Sequence, residues 1–467
     1  MRIIGNDPST PRQAQIVASG TLPSGVPVVV NSDGTVSVIA SSSQALGSPG
    51  LYRISSIANG AAAAVYDDNS QKVVIVFTDN SSQNLKAVVG TVSGTSISFG
   101  SEVVIAAQGY PAKAAYDANA QKIVVVFDNQ AVVGTVSGTS ISFGSIVTYT
   151  SGGGSASDYD VTYDANAQKV VIGYLDVSSY GVAVVGTVSG TSISFGTPVV
   201  HLYNQATNNS IVYDANAQKF VIFYTDQGNT TYGRAVVGTV SGTSISFGST
   251  VVFESAQSDS ISACYDANAQ KTVTGYRLSN SDGKAVVGTV SGTSISFGTS
   301  VVYASNAFAS SSVYDPTAKK VIIGYQDTSD SYAGDLIVGT VSGTSISFDS
   351  PIAFDSDRAD KQSAIYDVNA QKVVISYRVS SEGTYVVFAP ASTTLTSENY
   401  IGTAATGAPS GTGAKINLKG AVDENQSGLT AGQSYYVQTD GTLGTTPADP
   451  SVFAGTAVAA NKLIVKG

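Results

Sequence analysis

The decapeptide GTVSGTSISF begins at Gly90 and recurs without change at Gly134, Gly186, Gly238, Gly288 and Gly339. A second motif, YDANAQK, starts at Tyr116, Tyr163, Tyr213 and Tyr265, with variants YDDNSQK at Tyr66, YDPTAKK at Tyr314 and YDVNAQK at Tyr366. Together they mark seven repeats spaced 47 to 52 residues apart. A fixed period of that length commits a chain to a repeat architecture before any local motif is weighed.

Each repeat carries four strand signals. Strand A is short and small, as in SISACYD, and strand B is apolar and β-branched, as in KVVIGY. Strand C is AVVGTV, and strand D is SISFG running on to VVF or VVY. Val, Ile, Tyr, Phe and Thr dominate, and no 3.6-residue period survives. In VSGTS a Ser-Gly pair is expected to form the two-residue C–D turn, with glycine supplying positive φ. That register sets Val132 against Phe143, Gly134 against Ile141 and Val136 against Thr139. Asp, with Pro316 as the second residue in one repeat, suits a type I turn between A and B. Turn chemistry accounts for YDANAQK better than calcium ligation, because one or two carboxylates fall short of the usual ligand count.

Two tight hairpins per repeat make the strands antiparallel, which excludes a parallel β-helix. The expected fold is all-β: a seven-bladed β-propeller with four antiparallel strands per blade and strand A innermost. Cys264 falls in an A strand, where a small buried residue is expected rather than a reactive thiol. The seventh repeat lacks SGTSISF, and GTVSVIASSSQALGSPGLYR near the start reads as a degenerate C–D segment. Residues 41 to 53 are therefore expected to complete the last blade. The organisation that follows is an N-terminal arm and attachment segment at 1–40, the propeller at 41–390, and a small β-rich module at 391–467.

Composition removes several function classes. Charged residues are 12% of the chain and the net charge is −10, so no basic groove for nucleic acid is expected. The opening MRIIGNDPSTPRQAQ has no apolar run of a signal peptide, and no stretch suits a bilayer. The expectation is synthesis in a cytoplasm without membrane insertion. His201 is the only histidine, which excludes multi-histidine metal sites. No cofactor motif is present.

With A innermost, the A–B and C–D turns share one end of the sheets, and the variable B–C and D–A loops share the other. Those loops are rich in Asn, Ser, Asp, Gly and Tyr, the residues of adaptable polar contact surfaces. Tyr110, Tyr159, Tyr180, Tyr232 and Tyr332 offer flat amphipathic faces there. The expected ligand-contact set is Tyr159, Asp160, Tyr180, Tyr232, Arg234, Asp259, Tyr332 and Arg358. Asp158, Asp160, Asp259, Asp357 and Asp360 also lie just before A strands, where paired carboxylates would serve glycoside hydrolysis. Asp is equally a turn residue, and no catalytic set is assigned.

Beyond Pro390 the period stops, and short strand signals alternate with Gly-rich turns. The segments NYIG, GLTAGQSYYVQTDGTL and GTAVAANKLIVKG resemble modules at the ends of fibre and appendage proteins of tailed bacteriophages, marine ones in particular. The near-identical repeats also resemble those of large phage virion proteins. The resemblance implies a non-enzymatic virion protein, present in multiple copies, joined to other virion proteins through the N-terminal arm and C-terminal module. Its propeller would bind a host-surface glycan or protein. The alternatives are a lectin-like bacterial adhesin, surface-bound or secreted, and a glycoside-active propeller.

Overall fold

Val, Ile, Tyr and Thr crowd every repeat, and in the computed structural model they form antiparallel strands, with no helix among the described residues. Those residues are 12–42, 44–53, 63–108, 111–150, 157–228, 231–380, 382–390, 392–448 and 450–466. The chain divides into two compact bodies: Ala45–Pro390, which holds the repeats, and Met1–Gln44 with Ala391–Gly467.

One repeat shows the plan. Strand A (Ser157–Asp164) pairs with B (Lys169–Leu175), and B pairs with C (Gly181–Ser189). Strand D is interrupted: Ser192–Phe195 and Val199–Leu202 both pair with C. Strand B lies between A and C, and Val170, Val171 and Ile172 are fully buried. The apolar cores form between successive sheets. Val124 and Val126 of one repeat pack with Val161, Ile172 and Val184 of the next. Val374, Tyr385 and Val387 of the last repeat pack with Val73, Ile75 and Phe77 of the first. The succession of cores therefore returns to its start.

The C–D turn departs from the expected register. Gly134 pairs with Phe143, Val136 with Ile141 and Ser137 with Ser140, so the loop is Gly138-Thr139 rather than Ser137-Gly138. Gly138 has φ +62°, and a II′ hairpin needs glycine as the first loop residue. The slip is two residues, so the same side chains keep the same face. The need for glycine on strand C also survives: a Cβ on Gly134 would lie 2.8 Å from Ile141 Cδ1 and 2.9 Å from Phe143 Cε1.

Both fixed letters of the A–B motif join repeats or close the turn. Asp117 Oδ1 accepts the N–H of Ala120 at 2.9 Å, and Gln121 takes φ +55° to re-enter strand B. The Tyr116 hydroxyl accepts the N–H of Asn69 in the preceding repeat at 3.1 Å. Equivalent bonds join Asn119 to Tyr163, Asn166 to Tyr213, Asn216 to Tyr265 and Asn268 to Tyr314. Where Pro316 alters the turn, Thr317 Oγ1 meets the Tyr366 hydroxyl at 2.6 Å. Asn369 then donates to Tyr66, last repeat to first.

A second belt runs along the A strands. Ser210 Oγ accepts the N–H of Ala263 at 3.0 Å, Ser262 that of Ser312 and Ser311 that of Ala364, both at 2.8 Å. Ser363 accepts from Ala64 at 3.0 Å, again joining last to first. Small side chains let neighbouring A backbones approach within a single hydroxyl bond. Cys264 sits buried in one of these strands.

The last repeat takes its outer strand from the other end of the sequence. Glu382–Ala389 pairs with Ala45–Leu46 and with Gly50–Arg53, the same two-part arrangement as strand D elsewhere. Pairing there leaves no open edge at the joint. Tyr385 adds a link to the first repeat, its hydroxyl accepting from Ile97 N–H at 2.9 Å and donating to Ile97 O at 3.2 Å. In the other body, N- and C-terminal segments share one sheet, in the order Gln13–Val17, Gly413–Asn417, Tyr400–Ala404, Pro27–Val30, Val36–Val38. Leu22, Val28, Val36 and Ile416 form its core.

Tyr385→Phe removes both bonds to Ile97 and leaves that buried backbone without them. It should lower stability by about 1–3 kcal/mol in urea denaturation. A variant as stable as the parent would show that the joint rests on strand pairing and apolar contact alone.

Candidate binding face

The B–C and D–A connections meet at the end of the sheets opposite the A–B turns. Five A strands enter from that end through a β-bulge: the register shifts between Ser157 and Asp160, Thr207 and Ser210, Asp259 and Ser262, Phe308 and Ser311, and Asp360 and Ser363, while Ala112–Asp117 pairs without one. Asp158, Asn208, Ser260 and Lys361 take positive φ at these bulges. A bulge re-aims the side chains before it, and this decides which predicted residues reach solvent.

Tyr159 does not. It is 9% exposed, packed among Val126, Val161 and Ile172, and its hydroxyl donates to the carbonyl of Pro111. The bulge at Asp158 turns it into the core between repeats, which corrects its expected place on the display face. Tyr110 lies outside the described residues. Asp160 is spent on its neighbours, with Oδ2 accepting the N–H of Ile211 at 2.9 Å and Oδ1 3.6 Å from Lys113 Nζ. Asp158 accepts the N–H of Asn208 at 3.4 Å, and burial raises its pKa despite that bond. Tyr232 is half-buried at the start of strand C, opposite Asp226 and Gln257. Arg234 Nε lies 3.0 Å from Asp226 Oδ2. His201 is enclosed by Tyr224 and Phe247, and desolvation pushes its pKa down to about 3, so it is a neutral core residue.

Two groups do face solvent. In the first, Tyr180 and Tyr203 meet edge to face, centroids 5.5 Å apart. Tyr203 is 80% exposed and Tyr180 37%. The turn beneath them is fixed by Asp176, whose Oδ1 accepts the N–H of Ser178 at 2.9 Å and of Tyr180 at 2.8 Å.

The second group runs across three repeats. Asp259 holds Arg277 by two bonds of 2.8 and 2.6 Å. The Arg277 guanidinium lies over Phe308 of the next repeat, 4.5 Å from the ring centroid. Phe308 meets Tyr332 at 89° and 6.3 Å, and Arg358 lies over Tyr332 at 4.6 Å. Asp360 then gathers Arg358 Nε at 2.8 Å, Gln326 Nε2 at 3.0 Å and Arg378 Nη2 at 2.6 Å. Burial raises the Asp360 pKa, but these three donors outweigh it and hold the carboxyl below its usual range. Asp259, Tyr332 and Arg358 were legible in the loops; Tyr203, Arg277, Phe308 and Arg378 were not singled out. A signal existed for two of them. In the five repeats with a strand-B tyrosine the residue after it varies, as Leu175, Thr225, Arg277, Gln326 and Arg378, while the ring position changes only to Phe77 and Phe127 in the first two repeats.

No family model matches the chain, and no curated protein matches it. Solved structures similar to it include the β-propeller domain of Cps50 (Swd1) from Myceliophteria thermophila, at 6% identity and TM-score 0.48, covering 73% of this chain and 98% of that one. A mutant of the Aleuria aurantia lectin AAL in complex with Fucα1-6GlcNAc is similar at 12% identity and TM-score 0.41, covering 65% and 98%. AofleA from Arthrobotrys oligospora is similar at 11% identity and TM-score 0.42, covering 85% and 97%.

The A–B turn aspartates titrate together. Burial raises the carboxyls of Asp67, Asp117, Asp164, Asp214, Asp266, Asp315 and Asp367, against the lowering pull of turn N–H groups. A folded pKa above the unfolded one gives stability that is present in acid and lost as pH rises through the folded value. Asp79 and Asp360 run the other way: burial raises them, but hydrogen bonds to Lys86 and Ser81, and to Arg378 and Arg358, outweigh it. Their contribution is present at neutral pH and lost as pH falls below the usual carboxylate range. The melting temperature should therefore rise from neutral pH toward that range and drop below it. Replacing Asp117, Asp164 and Asp214 by Asn, which keeps the oxygen acceptor, should shrink the rise. An unchanged profile would exclude these carboxyls as its source.

Proposed function

We propose that the repeats form a seven-bladed β-propeller, four antiparallel strands per blade, acting as a non-enzymatic glycan-binding module through its B–C and D–A loops. The returning run of tyrosine bonds supports the blade count, and the A-B-C-D pairing order, with its interrupted outer strand, supports the strand count. The fixed motifs are spent on turns and on joining repeats. The loops are not held to one sequence by either task, and their exposed residues are free to carry contacts.

The Tyr180–Tyr203 pair carries the glycan reading. Tyr203, 80% exposed, is braced edge to face by Tyr180, whose own turn Asp176 fixes, and the pair presents a flat face with a hydroxyl at its rim. The C–H faces of a sugar ring stack on such a surface at little entropic cost to the protein. Of the five carboxylates that sequence offered for hydrolysis, Asp158, Asp160, Asp259, Asp357 and Asp360, three (Asp160, Asp259 and Asp360) are held by side-chain or backbone partners of their own or adjacent repeats. This supports binding over catalysis.

A second reading sets the module on a phage particle, attached through its ends. It is favoured by the folding of the N-terminal segment into one body with the C-terminal segment, the one that carries the phage-appendage resemblance. Mass spectrometry of purified virions tests it, and absence of the polypeptide overturns it.

For the glycan reading, a glycan array probed with the parent should show binding. Tyr180→Ala with Tyr203→Ala should weaken it about tenfold, the equivalent of about 1.4 kcal/mol, at an unchanged melting temperature. A parent that binds no glycan, or a double variant that binds as well, would overturn it.

A further inference from the structure

In the ion pairs of the strip from Asp259 to Arg378, three guanidinium groups, Arg277, Arg358 and Arg378, meet two carboxylates, Asp259 and Asp360. Arg277 is closed by its two bonds to Asp259, and Arg378 is largely buried against Asp360. Arg358 is the one presented to solvent, its side chain 55% exposed.

Arg358 is also oriented. Its Nε is tied to Asp360 at 2.8 Å, and its plane rests on the Tyr332 ring at 4.6 Å. Tyr332 is in turn braced by Phe308 and lies at a loop position with φ +67°. These contacts fix the guanidinium and leave its Nη edge outward. Among the described residues no carboxylate other than Asp360 pairs with Arg358. A guanidinium edge presents two parallel N–H donors matched to the two oxygens of a carboxylate.

We propose that the Nη edge of Arg358 is a subsite for the carboxylate of an acidic saccharide of the hexuronate type. One exposed guanidinium edge suits a monoanion, whereas a dianionic phosphate would be repelled by Asp355 and Asp357, beside Arg358 in sequence, on a chain of net charge −10. The fork favours a planar oxyanion over the tetrahedral sulfate ester. That the carboxylate is carried by a sugar rests on the glycan reading above; that Arg358 takes a carboxylate does not.

The test titrates the full chain with sodium glucuronate, glucose, acetate and glucose 6-sulfate, followed by calorimetry and by the arginine side-chain N–H resonances. Glucuronate should bind, weaken with added salt, and bind at least about tenfold more tightly than glucose, as expected for losing a hydrogen bond to a charged group. Arg358→Ala should lose that advantage while circular dichroism shows the chain still folded at the titration temperature. Arg358→Lys, which keeps the charge without the fork, should fall between. Glucuronate no tighter than glucose, sulfate tighter than glucuronate, or full binding by Arg358→Ala overturns the proposal. Acetate as tight as glucuronate overturns its saccharide half. The Tyr180→Ala, Tyr203→Ala variant should keep its glucuronate affinity, so failure of that pair as a glycan platform is read separately.

Discussion

The bond from an A–B turn amide to the tyrosine hydroxyl of the following repeat constrains most of what else is fixed in this chain. The amide must arrive at the same height in every repeat, so the turn beneath it must have one shape. That shape needs the aspartate acceptor and a residue tolerating left-handed φ before strand B, seen at Gln121 with φ +55° and Gln218 with φ +54°. Each bond is worth only about 0.5–1.5 kcal/mol. Its importance lies in repetition: a turn of another shape breaks contact with the repeat before or after it. Near-identity of YDANAQK is therefore a geometric demand of equivalence around a closed cycle.

Strand A bears the complementary constraint. Its mid-strand serine reaches a neighbour's backbone amide, and only a short side chain spans that gap. Where a repeat departs from serine, the chemistry adapts: Asp160 accepts from Ile211 and also approaches Lys113, which occupies the equivalent position one repeat earlier. The bulge just before this position gives five of the A strands one extra residue at the loop end. It separates a segment tied to neighbours from a segment that is released. Tyr159 and Asp259 fall on either side of that division in different repeats, one buried and one paired near solvent.

Periodicity, turn letters and strand type made the repeat architecture readable from sequence, because each is a local property of a few residues. The hairpin register was misjudged by one loop position, since SG and GT both look like turn pairs. Only the requirement that the first loop residue take positive φ separates them. The burial of Tyr159 was not legible, because a bulge depends on contacts between strands distant in sequence from the motif. Arg277 over Phe308 was hidden for a similar reason: the two residues belong to different repeats, and nothing in either segment announces the stacking. The variation after the strand-B tyrosine did carry the information. Among Tyr174, Tyr224, Tyr276, Tyr325 and Tyr377 the ring is constant and buried, while the next residue changes in size and charge.

That contrast explains how one face can diversify while the rest stays still. The tyrosine of strand B packs into the core between sheets, and its neighbour in sequence points to the opposite side of the strand. Substitution after the tyrosine therefore changes what the loop end presents without moving the core. At Arg277 and Arg378 the new side chain found an aspartate on the adjoining A strand, directly across the register. At Gln326 it reached Asp360 of the next repeat instead. The Gln326 bond to Asp360, like the stacking of Arg277 on Phe308, couples adjacent repeats at the loop end, where tyrosine and serine belts do not reach. A charge change at one of these positions is consequently felt by the neighbouring repeat's loops, so the unit of variation on this face is a pair of repeats rather than a single loop.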